Sequence, residues 1–536
     1  MVGMYIATIP NRNSPPAILI RESYRENGRV KTRTIANITS WSPERIEALR
    51  LCFKGKFDGI APEEDPISDR IFGPLFVLKE IAQRLNIVRS LGNNQAAKLA
   101  LFLILARVAH QGSRLSSVRW AADHAVAETL GITEFDEDDL YEALEWLATH
   151  QTRIEKQLFN SYVKKVGQPP VLVLYDVTSS YFEGDMNELS EYGYNRDGKK
   201  GKKQIVIGLL TADDGEPLAI RVFKGNTSDP TTVADQIEIL KKQFNVHDVV
   251  FVGDRGMIKK NGKASLTDND LKYITALTNP QVRKLLKKDI IQLNLFDTVV
   301  TEVSYGDLRL VLWKNDDVYR KEGHRRQDKI NKFQRLVQER NEFVKQSKRA
   351  NPEAGLRKLT EWTQRYKLSS FVDLFLDDNQ ICFTIDEEKK SDAALLDGCY
   401  VLETDVSKVD MNSKMIDERY RDLQKVERNF RNIKTALLEI RPIFVRKKER
   451  TIGHVFSAML ALKIGREINE CLKSAFGTTD DGNHAITIQD ALQALSRLCF
   501  YRTKVAGQEF LQLPKPDKKQ AAIFEALKVK LPIYQR

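Results

Sequence analysis

Three acidic residues have the types and positions that could bind divalent metal ions. Asp176 follows the apolar run 171–175, and Asp254 follows the apolar run 249–253. Glu427 lies far downstream, in a segment with a helical apolar pattern. Mg²⁺ prefers oxygen ligands and keeps several of its waters, so two or three carboxylates are enough to hold it. We therefore predict a catalytic site for two Mg²⁺ or Mn²⁺ ions, in which Asp176 bridges both ions.

The charge of the chain indicates what such a site would act on. The sequence has 84 Lys and Arg residues against 73 Asp and Glu residues, a net charge of +11. A basic surplus favours a polyanionic partner, because Lys and Arg neutralise phosphates and release counterions. Two metal ions about 3.5–4 Å apart activate the attacking oxygen and stabilise the leaving oxygen of a phosphodiester. We predict a nucleic acid as the substrate; a basic enzyme without a nucleic-acid partner is the alternative.

Length and composition exclude several classes of protein. With 536 residues and 42% apolar residues, the chain is too long for one core and too apolar for a disordered protein. The longest apolar stretch, 99–109, is too short to span a bilayer, and the N-terminus lacks a signal-peptide pattern. We expect a cytoplasmic protein without a membrane partner. Its five scattered cysteines are expected to be reduced core residues: Cys52, Cys382, Cys399, Cys471 and Cys499.

The first 166 residues divide into a β-rich part and a helical part. Residues 1–70 carry three β-like patches, and Asn27-Gly28 predicts a hairpin turn between the last two. Residues 71–166 have helical patterns. Within them, Arg107, Arg114 and Arg119 flank a Gly-containing turn. A helix-turn-helix contact with DNA and a plain helical bundle with solvated arginines both fit this pattern.

A break at Gln168-Pro169-Pro170 introduces an α/β stretch. The pattern predicts three consecutive strands, a helix, a strand and a further strand. Asp176 and Asp254 would each lie where a strand ends, at an edge of the sheet. The predicted elements are strands 171–176, 204–211, 217–224, 248–253 and 272–277, and a helix at 231–243.

Residues 278–398 interrupt this alternation. They contain a predicted strand pair at 298–304 and 308–313 and a long charged helix at 325–349. A strand at 399–404 resumes the sheet-like pattern, and a helix at 412–440 follows, which ends before Pro442 because the residue before proline disfavours helix. The remaining residues are mostly helical in pattern.

The predicted helix at 412–440 places several polar residues on one face. Tyr420, Glu427 and Lys434 are spaced by seven residues, about 700° of helical rotation, and Arg431 falls on the same side. An ordinary amphipathic helix with a Glu427–Arg431 ion pair is the competing interpretation. An apolar stripe runs beside this face: Val426, Phe430, Ile433, Leu437 and Ile440.

These motifs together resemble bacterial insertion-sequence transposases of the DDE class. The similar motifs are Y-D-V-T-S at 175–179, V-G-D-R-G at 252–256 and Y-x6-E-x6-K at 420–434. The last resembles the branch with the Y-x2-R-x3-E-x6-K signature. Supporting motifs are G-N-T-S-D at 225–229, D-G-C-Y-V-L-E-T at 397–404 and R-x2-G-H-V-F at 450–456.

The resemblance implies a fold, a reaction and an assembly. The fold is an α/β RNase H-like catalytic core interrupted by an insertion domain, with a β/α N-terminal region and a helical C-terminal region. Such enzymes cut DNA at terminal inverted repeats and join the ends to target DNA, so a homodimer in a synaptic complex is expected. The implied modules are 1–70, a helical end-binding module at 71–166, core parts at 167–277 and 399–445, a β-rich insertion at 278–398 that can help hold a DNA hairpin, and 446–536.

The resemblance also implies residues that contact DNA. Tyr420 and Lys434 would contact phosphates at the scissile end. The signature arginine is replaced by Leu423, so Arg421 or Arg431 could supply its phosphate contact. In the basic loop 198–203, which lacks the spacing of an ATP-binding P-loop, Lys202 and Lys203 are candidates for backbone phosphates.

Two aromatic residues of the predicted insertion and one histidine have less certain roles. Trp313 or Tyr305 could stack on a flipped base, although a core role is the simpler interpretation. His454, in the 450–456 motif, could approach the active site or act in packing. The seven histidines are dispersed and predict no zinc site.

Three other functions compete with transposition. A phosphatase of the haloacid-dehalogenase type needs a second acid at position 178, which is Thr178 here. A domesticated DNA-binding protein without activity would not need all three acids. An RNase H-like nuclease without strand transfer remains open at this stage.

Overall fold

A computed structural model gives the fold. It describes residues 3–12, 14–26, 28–55, 67–184, 186–199, 201–255, 257–296, 300–347, 350–435, 438, 440–441, 443–479, 484–505 and 508–532. The chain forms two compact units. One contains Met1–Leu158, Asn432–Arg441 and Val445–Arg536, and the other contains Phe159–Arg431 and Pro442–Phe444.

The described residues form strands and helices in both units. The strands are β1 Gly3–Ile9, β2 Ala17–Glu26, β3 Arg29–Asn37, β4 Ile67–Ile71, β5 Leu172–Tyr181, β6 Gln204–Ala212, β7 Pro217–Lys224, β8 Val250–Gly253, β9 Lys272–Ala276, β10 Thr301–Tyr305, β11 Leu308–Lys314, β12 Val372–Asp377, β13 Gln380–Ile385, β14 Cys399–Thr404, β15 Cys499–Val505 and β16 Gln508–Gln512. The helices are α1 Pro43–Phe53, α2 Gly73–Arg84, α3 Ile87–Leu91, α4 Gln95–Ala109, α5 Arg114–Ala122, α6 Val126–Leu130, α7 Glu137–Val166, α8 Asp229–Glu238, α9 Lys260–Asp268, α10 Asn279–Lys287, α11 Asp316–Gln346, α12 Pro352–Arg365, α13 Glu387–Ala394, α14 Ser413–Arg421, α15 Leu423–Lys434, α16 Lys448–Phe476, α17 Ile488–Leu495 and α18 Lys518–Ala526.

The unit that contains the three acids is built on an eight-stranded mixed sheet. Its strand order is β10-β11-β14-β9-β8-β5-β6-β7. β5, β6 and β7 form an antiparallel meander, whereas β8 and β9 continue the sheet parallel to β5. Three antiparallel strands followed by two parallel ones, with the first strand at the centre, is the RNase H-like arrangement. The predicted α/β fold class is therefore confirmed.

The central strands are held by burial on both faces. All nine residues of β6 are buried, and so are eight of the ten residues of β5. Near-continuous apolar runs are typical of strands covered on both sides. Residues of α8 and of the region after it pack in the same core as these strands, including Val233, Ile237 and Leu240. This packing fixes β5, which carries Asp176 near its middle, and the end of β8, which Asp254 follows.

The segment 278–398 contributes to the same sheet. β10 pairs with β11, and β11 pairs with β14, so both predicted strands of this segment extend the sheet beyond β14. The rest is largely helical, unlike the β-rich insertion that was expected. α11, α12 and the β12–β13 hairpin pack around a separate apolar cluster, which includes Phe333, Phe371 and Ile381. The module boundaries drawn from the sequence stay a prediction.

The predicted single helix at 412–440 is wrong in its extent. The structure has two helices, α14 and α15, separated at Asp422, and α15 ends at Lys434. The amide of Lys425 donates to the carbonyl of Asp422 at 2.8 Å, a three-residue spacing that tightens the chain as in a 3₁₀ turn. The Asp422 carboxylate also pairs with Arg419 at 3.1 Å and Lys425 at 2.9 Å. Tyr420 and Glu427 therefore lie on different helices.

The other unit begins with the three-stranded antiparallel sheet β1-β2-β3. Glu26 pairs directly with Arg29, so the predicted hairpin is confirmed, although Asn27 itself lies outside the described residues. β4 pairs with β15, and β15 with β16, so the C-terminal region, predicted as helical, also contributes two strands to a second sheet.

Two arginines of the possible helix-turn-helix are internal to this unit. Arg114 is buried, with its guanidinium 3.4 Å from Nδ1 of His454. Arg107 is 3.0 Å from the same Nδ1 and donates to the Leu438 carbonyl at 3.0 Å. Only Arg119 of the three is exposed. His454 is buried here and acts in packing, and the bundle interpretation fits Arg107 and Arg114.

Two further expectations concern the cysteines and the membrane. All five cysteines are free, as expected, but they are half-buried and not fully buried in the core. Across the described ranges, no helix combines the length and apolar character needed to cross a membrane.

Candidate active site

The three predicted acids line one pocket. Asp176, Asp254 and Glu427 contribute to the walls of a cavity of about 300 Å³. The other residues that line it are Trp313, Asn315, Val318, Tyr400, Tyr420, Arg421, Leu423 and Gln424. Residues from five separate parts of the unit therefore meet at one place, as the motif spacing predicted for the acids.

The register of two parallel strands brings Asp176 and Asp254 together. Tyr175 on β5 is the partner of Gly253 on β8, so each acid comes one residue after this pair. Neighbouring strands lie about 4.8 Å apart, which places the two carboxylates at adjacent positions of the sheet. Asp176 lies within β5 and is half-buried, whereas Asp254 lies just beyond β8 and is exposed.

Two hydrogen bonds hold α15, which carries Glu427, against the sheet. The Lys425 ammonium donates to the Asp213 carbonyl at 2.6 Å, and the Asn429 amide donates to the Gly215 carbonyl at 2.8 Å. Both acceptors belong to the turn between β6 and β7, where Gly215 has a φ of +83° that favours glycine. Val426 and Phe430 of the predicted apolar stripe are buried, which leaves Glu427 exposed towards the pocket; Leu437 lies outside the described residues.

The acids repel one another. Burial first, and then the charges of Asp254 and Glu427, raise the pKa of Asp176 to about 7, against the opposing effects of the Val177 amide and the Arg196 guanidinium. The Val177 amide donates to Asp176 Oδ1 at 2.7 Å. A carboxylate surrounded in this way is stabilised by a nearby cation. The pocket therefore concentrates negative charge that its own basic residues do not neutralise.

Tyr420 joins the acid cluster by a direct hydrogen bond. Its hydroxyl donates to Asp254 Oδ1 at 3.1 Å. Burial and the adjacent Asp254 charge raise the pKa of Tyr420 well above its ordinary value. The phenol therefore stays protonated and remains a donor at neutral pH. The residue lies near the end of α14, so it reaches the site across the break at Asp422.

One wall of the pocket is aromatic. Trp313 of β11 and Tyr400 of β14 are register partners, and their rings stack with centroids 5.0 Å apart. The Arg421 guanidinium lies 5.8 Å from the Trp313 ring, and that of Arg255 lies 5.5 Å from the Tyr400 ring. Trp313 is 5% exposed, so it is a core aromatic whose surface reaches the cavity.

The predicted DNA-binding residues take different positions. Arg421 lines the pocket and pairs with Asp417 at 2.7 Å. Arg431 is exposed on α15, and in the described chain it forms no ion pair with Glu427. Leu423, at the position of the signature arginine, is buried and faces the cavity.

The remaining three predicted basic residues do not line the cavity. Lys434 is the last residue of α15 and is half-buried. Lys202 pairs with Glu183 at 2.6 Å, and the Lys203 ammonium lies 6.0 Å from the Tyr192 ring. Lys200 of the same loop lies outside the described residues.

Sequence reasoning missed several residues of the site. Arg196, from the loop after β5, acts on Asp176 and forms an ion pair with Asp229 at 2.5 Å. The signal for this pair was present, because Asp229 ends the G-N-T-S-D motif. Arg255, beside Asp254 in its motif, was also missed, and so was Tyr400. Tyr305, in contrast, is not among the residues that line the pocket.

The donor chemistry of the pocket fits a hard divalent cation. Its possible metal ligands are the carboxylate oxygens of Asp and Glu, and no His or Cys is among the residues that line it. As they stand, no three His, Cys, Asp or Glu side chains of the described chain are close enough to form a complete metal-binding group. The charge repulsion at Asp176 is the property that a bound cation would relieve.

Comparisons with known proteins assign the family. A model of the IS1634 family transposase N-terminal domain matches residues 6–64, and a model of the transposase DDE domain matches residues 167–464. No curated protein matches the sequence.

Solved structures similar to this chain include two transposase complexes. The piggyBac transposase synaptic complex with hairpin DNA is 10% identical, over 79% of this chain and 78% of that chain, with a TM-score of 0.35. The Mos1 transposase paired-end complex with the left transposon end is 10% identical, over 34% of this chain and 58% of that chain, with a TM-score of 0.15. Neither bears on the fold at such TM-scores. Because the DDE domain match spans more than half of the chain, the protein belongs to the DDE transposases of insertion sequences.

Proposed function

We propose that this transposase cuts double-stranded DNA at the terminal inverted repeats of its element and joins the 3′-hydroxyl ends to target DNA. The observation that carries the proposal is the convergence of Asp176, Asp254 and Glu427 on one pocket of a basic protein. We propose that Asp176, Asp254 and Glu427 would hold two Mg²⁺ or Mn²⁺ ions. When bound, such ions lower the pKa of the attacking oxygen and stabilise the leaving oxygen.

The side chains around the acids position them and the DNA. The Tyr420 hydroxyl donates to Asp254, which orients that carboxylate and leaves its other oxygen for a cation. The Val177 amide does the same for one oxygen of Asp176. We propose that Arg421, which lines the cavity, binds a phosphate of the scissile strand in the role of the absent signature arginine.

More distant basic residues would bind the DNA on either side of the pocket. We assign Arg431 and Lys434, on α15, to phosphates near the scissile end, and Lys202 and Lys203, on the loop before β6, to the flanking backbone. Cleavage at paired ends requires two active sites, so we propose a homodimer in the synaptic complex. The N-terminal sheet and the helical residues 71–166 are the proposed end-reading modules, and Arg119, not Arg107 or Arg114, is the exposed arginine of the turn there.

The test uses the ends of the protein's own element. The full chain is incubated with a labelled end duplex and Mg²⁺ or Mn²⁺, nicks are mapped to the nucleotide, and joined products are sought with a target plasmid. We expect a nick at the element boundary and a joined product. Glu427→Gln should remove both while end binding persists, and the exposed Glu361→Gln, on α12, is the matched control.

The outcomes separate the candidate reactions. Nicks without any joined product would favour the nuclease interpretation. End binding without nicks in the presence of either metal would contradict the catalytic assignment altogether.

A further inference from the structure

The turn between β6 and β7 is fixed by its own hydrogen bonds. The Ala212 amide donates to the Glu216 carbonyl at 2.9 Å, and the Gly215 amide donates back to the Ala212 carbonyl at 2.9 Å. The Glu216 amide also donates to Asp214 Oδ1 at 2.8 Å. The φ of +83° at Gly215 belongs to the left-handed region that favours glycine. The backbone carbonyls of this turn therefore have positions that the sheet and the turn determine.

Two of these carbonyls accept hydrogen bonds from residues of α15 on either side of Glu427. The Lys425 ammonium donates to the Asp213 carbonyl at 2.6 Å, and the Asn429 side-chain amide donates to the Gly215 carbonyl at 2.8 Å. Asn429 is 1% exposed, so water cannot replace this acceptor if the bond is lost. The helix is thus tied to the turn immediately before and immediately after the acid.

The two bonds lie along one side of α15, and Glu427 lies on the other. Lys425 and Asn429 are one helical turn apart, about 6 Å along the axis, whereas Glu427 is rotated by about 200° from Lys425. Val426 and Phe430 lie between the two sides and are buried. Apolar burial holds the helix on the sheet but has no directional preference. The hydrogen bonds to the turn are therefore the contacts that fix how α15 is rotated about its axis.

A small rotation of α15 would displace the carboxylate of Glu427. Side-chain atoms lie about 5–6 Å from a helix axis, so a rotation of about 10° moves them by about 1 Å. Binding constellations tolerate displacements of only about 0.5 Å, and Mg²⁺ requires near-ideal octahedral geometry at about 2.0–2.1 Å. A rotation that leaves the helix folded is therefore large enough to weaken the binding of a cation.

We propose that Asn429 and Lys425 are positioning residues: they set the rotation of α15 from the β6–β7 turn and hold Glu427 where it can bind a divalent cation. This inference rests on the proposed function, in which Glu427 helps to hold the metal ions. Neither Asn429 nor Lys425 is among the residues that line the pocket, so each acts through the helix and not on the DNA.

The test measures the binding of Mn²⁺ alone. The full chain without DNA is titrated with Mn²⁺, and the free ion is followed by electron paramagnetic resonance. Asn429→Leu removes the donor and keeps the size of the side chain, and Gly215→Ala strains the turn that holds the acceptor. Each should weaken Mn²⁺ binding by about 10- to 100-fold, as for other groups that orient a metal ligand. Because both changes act on one bond, the double variant should bind about as weakly as the more affected single variant.

A matched control separates positioning from a general loss of stability. The Asn341 side-chain amide donates to the Ile381 carbonyl at 2.8 Å, and its Oδ1 accepts from the Ile381 amide at 2.8 Å. Asn341→Leu therefore removes a similar side-chain bond from α11 to the backbone of a hairpin. It should lower the midpoint of urea unfolding as Asn429→Leu does, while Mn²⁺ binding stays within about twofold of the wild type.

Lys425 is only half-buried and gives a second pair of variants, which should fold even where Asn429→Leu does not. Lys425→Met should weaken Mn²⁺ binding, and Lys425→Arg, which keeps a cationic donor, should restore most of it. Mn²⁺ affinities of Asn429→Leu and Lys425→Met within about twofold of the wild type would overturn the inference, and so would an equal loss in Asn341→Leu. If the wild type fails to cut element ends but binds Mn²⁺ in a manner that depends on Asn429, the proposed function is contradicted and the positioning role is supported.

Discussion

Replacing Asp176 with Asn should make the metal-free protein more stable while it removes DNA cleavage. Burial first, and then the charges of Asp254 and Glu427, raise the pKa of Asp176 from 3.8 to about 7. The folded protein therefore binds this proton more tightly than the unfolded chain does. Stability is lost as the pH rises from about 4 to 7, because the carboxylate must then carry its charge in the pocket. Asn has nearly the same shape and no charge, so it avoids this loss.

The magnitude follows from the two pKa values. Each pH unit between them corresponds to about 1.4 kcal/mol, which gives an upper limit of about 4 kcal/mol above pH 7. Because Asp176 is half-buried, solvent screens part of this energy, and we expect a gain of about 2–4 kcal/mol for Asp176→Asn at pH 8. At pH 4 the wild-type carboxyl is protonated in the folded state, so the gain should fall below about 1 kcal/mol.

The assay is urea unfolding in EDTA at pH 4 and pH 8, followed by circular dichroism, with Glu361→Gln as the control variant. Saturating Mg²⁺ at pH 8 should then stabilise the wild type more than Asp176→Asn, because the variant has lost a ligand charge. If the variant is no more stable than the wild type at pH 8, or is stabilised equally at both pH values, the charged carboxylate of Asp176 does not destabilise the folded protein and the reasoning is refuted. Loss of end binding together with cleavage would indicate a structural Asp.

Three further predictions concern other contacts. Tyr420→Phe removes the hydrogen bond to Asp254 and keeps the ring, so single-turnover cleavage should slow by about 10- to 100-fold with little change in DNA affinity; an unchanged rate would exclude a positioning role. Arg309→Met leaves the largely buried Glu302 without its partner at 2.8 Å, and urea unfolding should show a loss of about 3 kcal/mol at pH 7. The pKa of Glu302 is lowered to about 2, chiefly by Arg309, so this stabilisation is present above pH 4.5 and the gap between wild type and variant should narrow as the pH falls towards 2. The part of the gap that comes from the Arg309 bonds to the Val406 and Met411 carbonyls should remain, and a constant gap would contradict the ion-pair account. End binding measured by anisotropy between about 50 and 200 mM salt should weaken steeply, with a slope near −0.9 for each neutralised phosphate, and a flat response would argue against contacts to several phosphates.

The strands of the catalytic core could be predicted because their signal is local. β6, β8 and the first four residues of β5 are almost entirely apolar, and such a run predicts a buried strand without knowledge of its partners. The second half of β5 is more polar, so the predicted strand ended at 176 although β5 continues to Tyr181. The position of Asp176 and Asp254 at the ends of two such runs was enough to predict that they meet. Their register, Tyr175 with Gly253, confirms the inference.

The break between α14 and α15 could not be predicted in the same way. Residues 412–434 have a continuous helical pattern without Gly or Pro, so local propensity favours one helix. The break at Asp422 coincides with a contact that forms only in the fold: the Lys425 ammonium donates to the Asp213 carbonyl, about 200 residues earlier in the chain. Tertiary contacts of this kind override propensity, and they are invisible in a window of the sequence.

The aromatic and basic parts of the site were missed for a related reason. Trp313 and Tyr400 are far apart in the chain and become neighbours only through the pairing of β11 with β14. Arg196 lies in a loop, and because a loop has no regular periodicity, the spacing of its residues does not predict where a side chain points. Only the acids, which follow apolar runs or lie on a helix face, had positions that the sequence pattern could assign.

The pairing of β11 with β14 limits how this protein can be shortened. Excision of everything between β9 and β14 would delete Trp313 and Asn315 and would strip the Tyr400 ring of its stacking partner. It would also leave β14 with unpaired backbone groups along an open edge, a template for aggregation. A trimmed enzyme that keeps this pocket must retain the β10–β11 hairpin, Asn315 and the first turn of α11 with Val318. It can lose only the rest of α11, α12 and the β12–β13 hairpin, which have an apolar cluster of their own. The natural grafting points are therefore the end of the first turn of α11 and the start of β14, and not the limits of the whole inserted segment.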